Sequence, residues 1–433
     1  MKTVASHALG CKVNQYESEA IGELFVDSGY QLVNIEEKAD IYIINTCTVT
    51  NFGDKKSRQL IRKVKRRNPA AIVAVVGCYA QTAPKEISLV EGVNLIIGTK
   101  DRHKIVELVE EYHLEDGVKN YVTGIMEERE FENLSIQTLA NRTRAYLKIQ
   151  DGCSQFCSYC IIPYARGPIR SRKPEDVLNE VKILEENGFK EVVLTGIHVA
   201  SYGKDLKNIT LLDMIKEVHK IEGIQRIRLS SIEPNVVTEE FAAELSRMPK
   251  VCEHFHLSLQ SGCDRTLKAM NRKYTIAIYR QAVELLRRYM PNVALTTDII
   301  VGFPQETEED FEECYAFAKE MKFSKIHVFP YSPKKGTPAA KMSGQLSNEV
   351  KGERSKTLIA LSDAMAHEFI AAYVGKQLPV LFEQEIAENI YEGHTTNYIK
   401  VHAFAEEDMR NRIGETEITA VEQEQARGKV IKL

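Results

Sequence analysis

The chain has 433 residues, length enough for two to four domains, and its 43% apolar and 27% charged content excludes wholesale disorder. Formal net charge is −4, from 57 Lys and Arg against 61 Asp and Glu, so the chain is no polycation and any nucleic-acid contact falls to a local patch. No apolar run approaches about 18 residues and the N-terminus lacks an apolar signal core, so a cytoplasmic protein without a membrane partner is expected.

Nine cysteines, an odd number in a reducing compartment, argue against a disulfide framework and for metal ligation or thiol chemistry. Neither GxGxxG nor GxxxxGK[ST] occurs, which excludes a Rossmann fingerprint and a P-loop.

In chain order, apolar runs at 3–9, 39–44, 71–76 and 95–97 alternate with helical patterns, the first reaching Asp27 and the second strongly basic. This predicts a parallel sheet covered by helices. Cys11, Cys47 and Cys78 each fall one to three residues past the carboxyl end of a predicted strand. Those ends line one edge of an open α/β sheet, so the three thiols are expected to converge there. The competing reading is three unrelated core thiols.

A polar stretch over 112–142 reads as a linker. Six strand-helix units follow, with strands at 145–150, 191–194, 226–229, 254–259, 293–301 and 325–329. They predict a (β/α)6 partial TIM barrel, open on one side, whose function belongs at the carboxyl ends of its strands. From Gly375 short β-rich segments at 377–384, 398–405 and 413–422 predict a small closed β-barrel, a class that often binds oligonucleotides. That stretch carries seven Lys and Arg against eleven Asp and Glu, so it is not the main phosphate-neutralising surface. The predicted fold class is therefore α/β, with domains at 1–112, 141–370 and 371–433 and a linker at 113–140.

After the first barrel strand comes a C-x3-C-x2-C loop, Cys153, Cys157 and Cys160, with Tyr159 before the last cysteine. Three thiolates this close suit zinc or an iron–sulfur cluster. A structural zinc wants a fourth protein ligand, and no second C-x2-C is near.

This loop on a six-unit barrel resembles the radical S-adenosylmethionine enzymes. The order of a three-cysteine α/β domain, such a barrel and a small β-barrel similar to a TRAM domain resembles the methylthiotransferases over essentially the whole chain. The strings around Gly10-Cys11-Lys12-Val13-Asn14 and Asn45-Thr46-Cys47-Thr48 are similar to the branch acting on threonylcarbamoyladenosine in tRNA. The resemblance implies two [4Fe–4S] clusters, one on Cys153, Cys157 and Cys160 and one on Cys11, Cys47 and Cys78, with S-adenosylmethionine as cosubstrate. It also implies tRNA as partner, methylthiolated in the anticodon loop at adenosine 37. The electron donor and the sulfur donor are not identified by the sequence.

Strand ends supply the expected cofactor contacts: Tyr159, Thr195, Gly196, Ser230, Ser231, Glu233, Gln260, Asp298 and Gly302, the last allowing close backbone approach. Cys252, Cys263 and Cys314 read as ordinary packed thiols, Cys263 being the one near enough a strand end to approach the cofactor. Two basic runs are expected to hold RNA phosphates: Lys55, Arg58, Arg62, Lys63, Arg66 and Arg67 after Cys47, and Arg166, Arg170 and Arg172 after the barrel loop. A solvated helix face is the competing reading of the first. His198 and Tyr202 are candidates to stack on a base. The same chemistry on isopentenyladenosine or a ribosomal-protein aspartate, an iron–sulfur carrier without substrate chemistry, and a zinc-stabilised RNA-binding protein are the alternative functions.

Overall fold

The computed structural model describes residues 1–136 and 143–432. Its N-terminal part runs β1 (Thr3–Ala8), α1 (Lys12–Asp27), β2 (Gln31–Leu32), β3 (Ile41–Thr46), α2 (Asn51–Arg67), β4 (Ile72–Gly77), α3 (Cys78–Thr82), α4 (Pro84–Ser88), β5 (Leu95–Ile96), α5 (Ile105–Glu110) and β6 (Lys119–Asn120). The strands form one parallel sheet in the order β2-β1-β3-β4-β5-β6. Alternate residues explain why both faces are covered. Tyr42, Ile44, Val73 and Val75 pack with Ile61 and Val64 of α2, whereas Ile41, Ile43, Ala74 and Val76 pack with Ile21 and Phe25 of α1. Each fully buried Ile or Val contributes roughly 1.5–3 kcal/mol, which makes a continuous apolar strand such as Ile41-Tyr42-Ile43-Ile44 stable only with helices on both sides.

The expected linker is not free. Residues 119–120 supply the edge strand β6, Leu134 and Ile136 pack against Tyr16 and Ala20 of α1, and Glu132 pairs with Arg102. Two polar residues carry no strand pattern, so composition alone hides this edge. The boundary expected at 140–141 lies outside the described residues.

The central part comprises β7 (Arg144–Asp151), α6 (Ile162–Arg166), β8 (Arg170–Ser171), α7 (Pro174–Glu186), β9 (Glu191–Gly196), α8 (Leu211–His219), β10 (Arg226–Leu229), α9 (Glu239–Ser246), β11 (His254–His256), α10 (Asp264–Ala269), α11 (Ile276–Tyr289), β12 (Ala294–Val301), α12 (Glu308–Met321), β13 (Lys325–Pro330) and α13 (Asn348–Ala371). Parallel pairs β7-β9-β10 and β11-β12-β13 are joined by single bridges such as Ile227 to Val251 and Ile232 to Leu257, giving the six-strand open barrel. Alternation again sorts the residues. Ala145, Leu147, Ile149, Ile227, Leu229, Phe255 and Leu257 face the helices in the main apolar core, which leaves Arg144, Tyr146, Lys148, Arg226, Arg228, His254 and His256 for the barrel interior. That interior is polar.

The last part is a closed barrel, β14 (Gln377–Ala387), β15 (Ile390–Thr395), β16 (Lys400–Phe404), β18 (Gln425–Lys432) and β17 (Ile413–Glu422) in spatial order. The sequence showed three of these strands. β15 and β18 carry too few apolar residues to stand out, yet Tyr391 and Ala426 enter the small core with Val380, Phe382 and Val401. This barrel sits on the amino ends of the central strands: Arg226 donates to the carbonyls of His394 and Pro379 at 2.8 Å each, and Arg144 to Glu383 at 2.9 Å.

Candidate active site

Cys11 follows β1 by three residues, while Cys47 and Cys78 directly follow β3 and β4. The neighbouring strands therefore deliver all three thiols to one sheet edge. Gly10 makes the approach possible, because a Cβ there would lie 2.7 Å from Cys47 Sγ. Burial pushes the Cys47 thiol up to about 12, and the Cys78 and Cys11 sulfurs facing it add to the shift. Burial also raises Cys78. Cys47 and Cys78, buried thiols that resist ionising as free groups, are donors that a shared cationic centre would stabilise, a chemistry that suits an iron–sulfur cluster with Cys11 as the third ligand.

The second triad is cradled by the loop between α10 and α11. Ser158 donates from its backbone to Met270 O at 2.9 Å and from its hydroxyl to Ala269 O at 2.8 Å, and Asn271 Nδ2 donates to Phe156 O at 2.9 Å. Gly152 has φ +72°, and a Cβ there would fall 1.8 Å from Pro168 O, so only glycine lets the strand turn into the loop. Burial pushes Cys153 up to about 11 and Cys160 up to about 12, with the Cys157 sulfur adding to both. This donor set fits a cluster on the same chemical ground.

Several strand-end residues gather beside this loop. Glu233, just past β10, pairs with His198 Nε2 at 3.0 Å and Arg272 Nη2 at 2.8 Å, and accepts from Gln155 Nε2 at 3.3 Å. Thr195 and Gly196 end β9, with Gly196 packed on Gln150. The hydroxyl of Ser230 is buried without a partner among the described residues, while Ser231 is exposed. Gln260 adopts φ +69° and bridges to Ile299 of β12. Tyr159 packs against Met270, Phe303, Tyr331 and Ala339. Asp298 accepts from the Gln260 backbone N–H at 2.8 Å through its carbonyl, and its carboxylate pairs with His256 at 3.2 Å.

A Cβ on Gly302 would lie 2.3 Å from Lys351 Cγ of α13. Four expectations need correction. Arg166, Arg170 and Arg172 are buried and satisfied: Arg166 by Glu17 at 2.5 and 2.9 Å, Arg170 by Asp151 at 3.6 Å, and Arg172 by Glu180. They cannot serve as an exposed phosphate surface, because their carboxylate partners already neutralise them in the interior. Tyr202 is also buried, donating to Arg172 O at 3.0 Å, which removes it as a stacking platform.

On α2, Lys55, Arg62, Lys63 and Arg66 are exposed, whereas Arg58 donates to Tyr79 Oη at 2.6 Å. Glu36 engages Lys63 at 2.9 Å and Arg67 at 2.7 Å. The start of this helix is tied to the barrel rim through Asn51 Nδ2 to Pro333 O at 3.0 Å and an Asp54–Lys334 ion pair. Cys252 and Cys314 are buried, and Cys263 is buried with its thiol against Asp310 at 3.3 Å, as packed thiols should be.

Sequence reasoning missed the groups that join the two triads. Arg166 ends the helix that follows Cys160, yet its Nε donates to Cys78 Sγ at 3.1 Å and its Nη2 to Asn14 Oδ1 at 2.7 Å. Lys148 holds Glu17 at 2.7 Å and Asp151 at 2.5 Å, and Arg102 reaches Glu17 at 2.6 Å. Arg272 donates to Cys157 Sγ at 3.2 Å. The only sequence signal was that Arg166 and Arg272 lie near loops that carry the chemistry.

The barrel and its cysteine loop define the class: residues 147–318 match the Radical SAM superfamily, and residues 3–98 match the uncharacterized protein family UPF0004. Threonylcarbamoyladenosine tRNA methylthiotransferase MtaB of Bacillus subtilis is 47% identical, over 96% of this chain and 94% of its own. The MtaB of Thermotoga maritima is 36% identical over 96% and 93%. A tRNA-2-methylthio-N(6)-dimethylallyladenosine synthase of Moorella thermoacetica is 39% identical over 88% and 87%. Among solved structures, the radical S-adenosylmethionine methyltransferase TsrM of Kitasatospora setae shares the fold, with a TM-score of 0.58 at 15% identity over 78% of this chain and 77% of that one. The chain belongs to the threonylcarbamoyladenosine tRNA methylthiotransferase family of radical S-adenosylmethionine enzymes. Membership implies a [4Fe–4S] cluster and S-adenosylmethionine. No helix among the described residues is long and apolar enough to cross a membrane.

Proposed function

We propose that the protein converts N6-threonylcarbamoyladenosine at position 37 of tRNA to its 2-methylthio form, in the cytoplasm, using two [4Fe–4S] clusters. The division of labour follows 1–112, 141–370 and 371–433, with the intervening segment packed onto the first part. The observation that carries the reading is Arg166, which spans from the loop of one cysteine triad to a thiol of the other, on a chain whose relatives are named for this activity.

When bound, the barrel cluster and S-adenosylmethionine supply a carbon-centred radical and a methyl group. The chain's own residues do the holding. Cys153, Cys157 and Cys160 hold the barrel cluster, and Cys11, Cys47 and Cys78 hold the second. Arg272 orients Cys157 while fixing Glu233, whose carboxylate, with the free hydroxyl of Ser230, offers acceptors for an amino or ribose group. An adenosine in the anticodon loop is unpaired, so it reaches this site without breaking a duplex. The exposed Lys55, Arg62 and Arg66 lie on a helix anchored to the rim and position backbone phosphates.

The test is nucleoside mass spectrometry of tRNA incubated anaerobically with reconstituted protein, S-adenosylmethionine, sulfide and reductant. A methylthio group on threonylcarbamoyladenosine is the expected result. None there, with 5′-deoxyadenosine still formed, moves the substrate elsewhere.

A further inference from the structure

The amino ends of β7 and β10, the first turn of α1 and the β15-β16 turn of the C-terminal barrel meet at one place. Lys12 is the first residue of α1, adjacent to Cys11, and is exposed. It is nevertheless recessed. Its Nζ lies 5.9 Å from the Tyr146 ring centroid, and its electrostatic neighbours are Tyr398, Arg144, Arg228 and Glu191. Tyr398 closes this recess from the C-terminal barrel. It stacks on His254 with centroids 4.5 Å apart and on His394 at 4.8 Å, under the guanidinium of Arg228 at 4.6 Å, and accepts from Arg144 Nη1 at 3.4 Å.

The charges do not balance. Among the described residues, four cations, Lys12, Arg144, Arg226 and Arg228, meet two carboxylates, Glu191 and Glu383. Arg228 is matched to Glu191 at 2.7 Å and Arg144 to Glu383 at 2.9 Å, and no carboxylate forms an ion pair with Lys12 among the described residues. The surplus is felt by Tyr398, whose phenol is pulled below its usual value by Arg144, Lys12 and Arg228 although burial acts the other way. A recessed ammonium among surplus positive charge is a site for an anion, since the low-dielectric walls strengthen the attraction. The threonyl group of threonylcarbamoyladenosine ends in a carboxylate, which an isopentenyl group lacks.

We propose that Lys12 is a specificity-determining residue that binds the substrate's threonyl carboxylate, with Arg144 and the Tyr398 hydroxyl completing the pocket and the Tyr146 ring as its wall. This assignment rests on the function proposed above. It places the recognition of the N6 substituent one residue from a cluster cysteine, so that a carboxylate seated on Lys12 fixes the base beside the thiols.

The experiment uses the cluster-loaded protein, with iron and sulfide content checked in every variant. Fluorescence anisotropy measures its affinity for a tRNA anticodon stem-loop carrying threonylcarbamoyladenosine, its methyl ester, or plain adenosine. The native protein is expected to prefer the free carboxylate over both others by about tenfold or more, the scale of a charge-assisted hydrogen bond. Lys12→Met is expected to bring that ratio to near one and Lys12→Arg to restore most of it. Lys12→Met lowering affinity for all three loops equally would make Lys12 a phosphate contact and overturn the assignment, as would a ratio that stays at the native value. Methylthiolation of the threonylcarbamoyl loop by the native protein, measured in the same samples, separates that failure from a failure of the proposed function, in which the native protein would neither prefer nor modify this loop.

Discussion

Arg166 and Cys78 are joined by a 3.1 Å hydrogen bond from guanidinium to sulfur, although 88 residues separate them. The same guanidinium closes on Glu17, itself held by Lys148 and Arg102, so one buried charge network ties the barrel to the N-terminal sheet. Removing one member of a buried ion pair leaves its partner uncompensated, at a cost of about 3–5 kcal/mol. Arg166→Met is therefore expected to lower the urea-unfolding free energy of the cluster-free protein by that amount, with Arg166→Lys recovering part of it. A loss under about 1 kcal/mol would mean that Lys148 and Arg102 carry the network alone.

Arg272 touches both Cys157 and Glu233. Partners that orient a ligand are worth about 10–100-fold in metal affinity or activity. Arg272→Gln is expected to slow reductive cleavage of S-adenosylmethionine within that range, read as 5′-deoxyadenosine formed per minute, while Cys78→Ala leaves the barrel loop its three thiols and its cleavage.

The basic helix divides into free and occupied charges. Lys55, Arg62 and Arg66 are exposed and form no ion pair among the described residues, whereas Glu36 occupies Lys63 and Arg67. Changing Lys55, Arg62 and Arg66 to Gln should reduce the salt dependence of tRNA binding by about 0.7–0.9 for each phosphate that is no longer neutralised. Changing Lys63 and Arg67 should reduce it less. Equal slopes for the two sets would return the whole helix to a solvated face.

The contrast between the two basic runs shows what was legible in the sequence. Strand periodicity and the spacing of cysteines after strands were readable, because each depends on neighbours in the chain: Cys11, Cys47 and Cys78 lie at strand ends as the pattern required. The fate of Arg166, Arg170 and Arg172 was not readable. Their counterions are Glu17, Asp151 and Glu180, and Glu17 belongs to another layer of the fold. A run of arginines looks the same in water and in a buried network. β6 was invisible for a related reason, since Lys119 and Asn120 are held by pairing to β5 and not by their own preference.

Acid should loosen the same region. Burial acts to raise Glu132, but Arg102 and His103 hold its carboxyl down to about 2 from an ordinary 4.5. A depressed carboxylate contributes stability that is complete above its unfolded value and is lost as pH falls through its folded one, here from about 4.5 to 2, worth on the order of 3 kcal/mol. Glu132→Gln should flatten the decline in urea stability measured from about pH 5 to about pH 3. A decline as steep as the native protein's would assign the acid sensitivity to other carboxylates.

The seat of the C-terminal barrel has an evolutionary corollary. Arg226 and Arg228 fasten it through the backbone carbonyls of Pro379, His394, Thr395 and Thr396. A carbonyl is present whatever side chain the residue carries. The outward-facing residues of that barrel are therefore free to drift, recoding the surface shown to an RNA, while the path of the main chain and the two arginines beneath it keep the attachment unchanged.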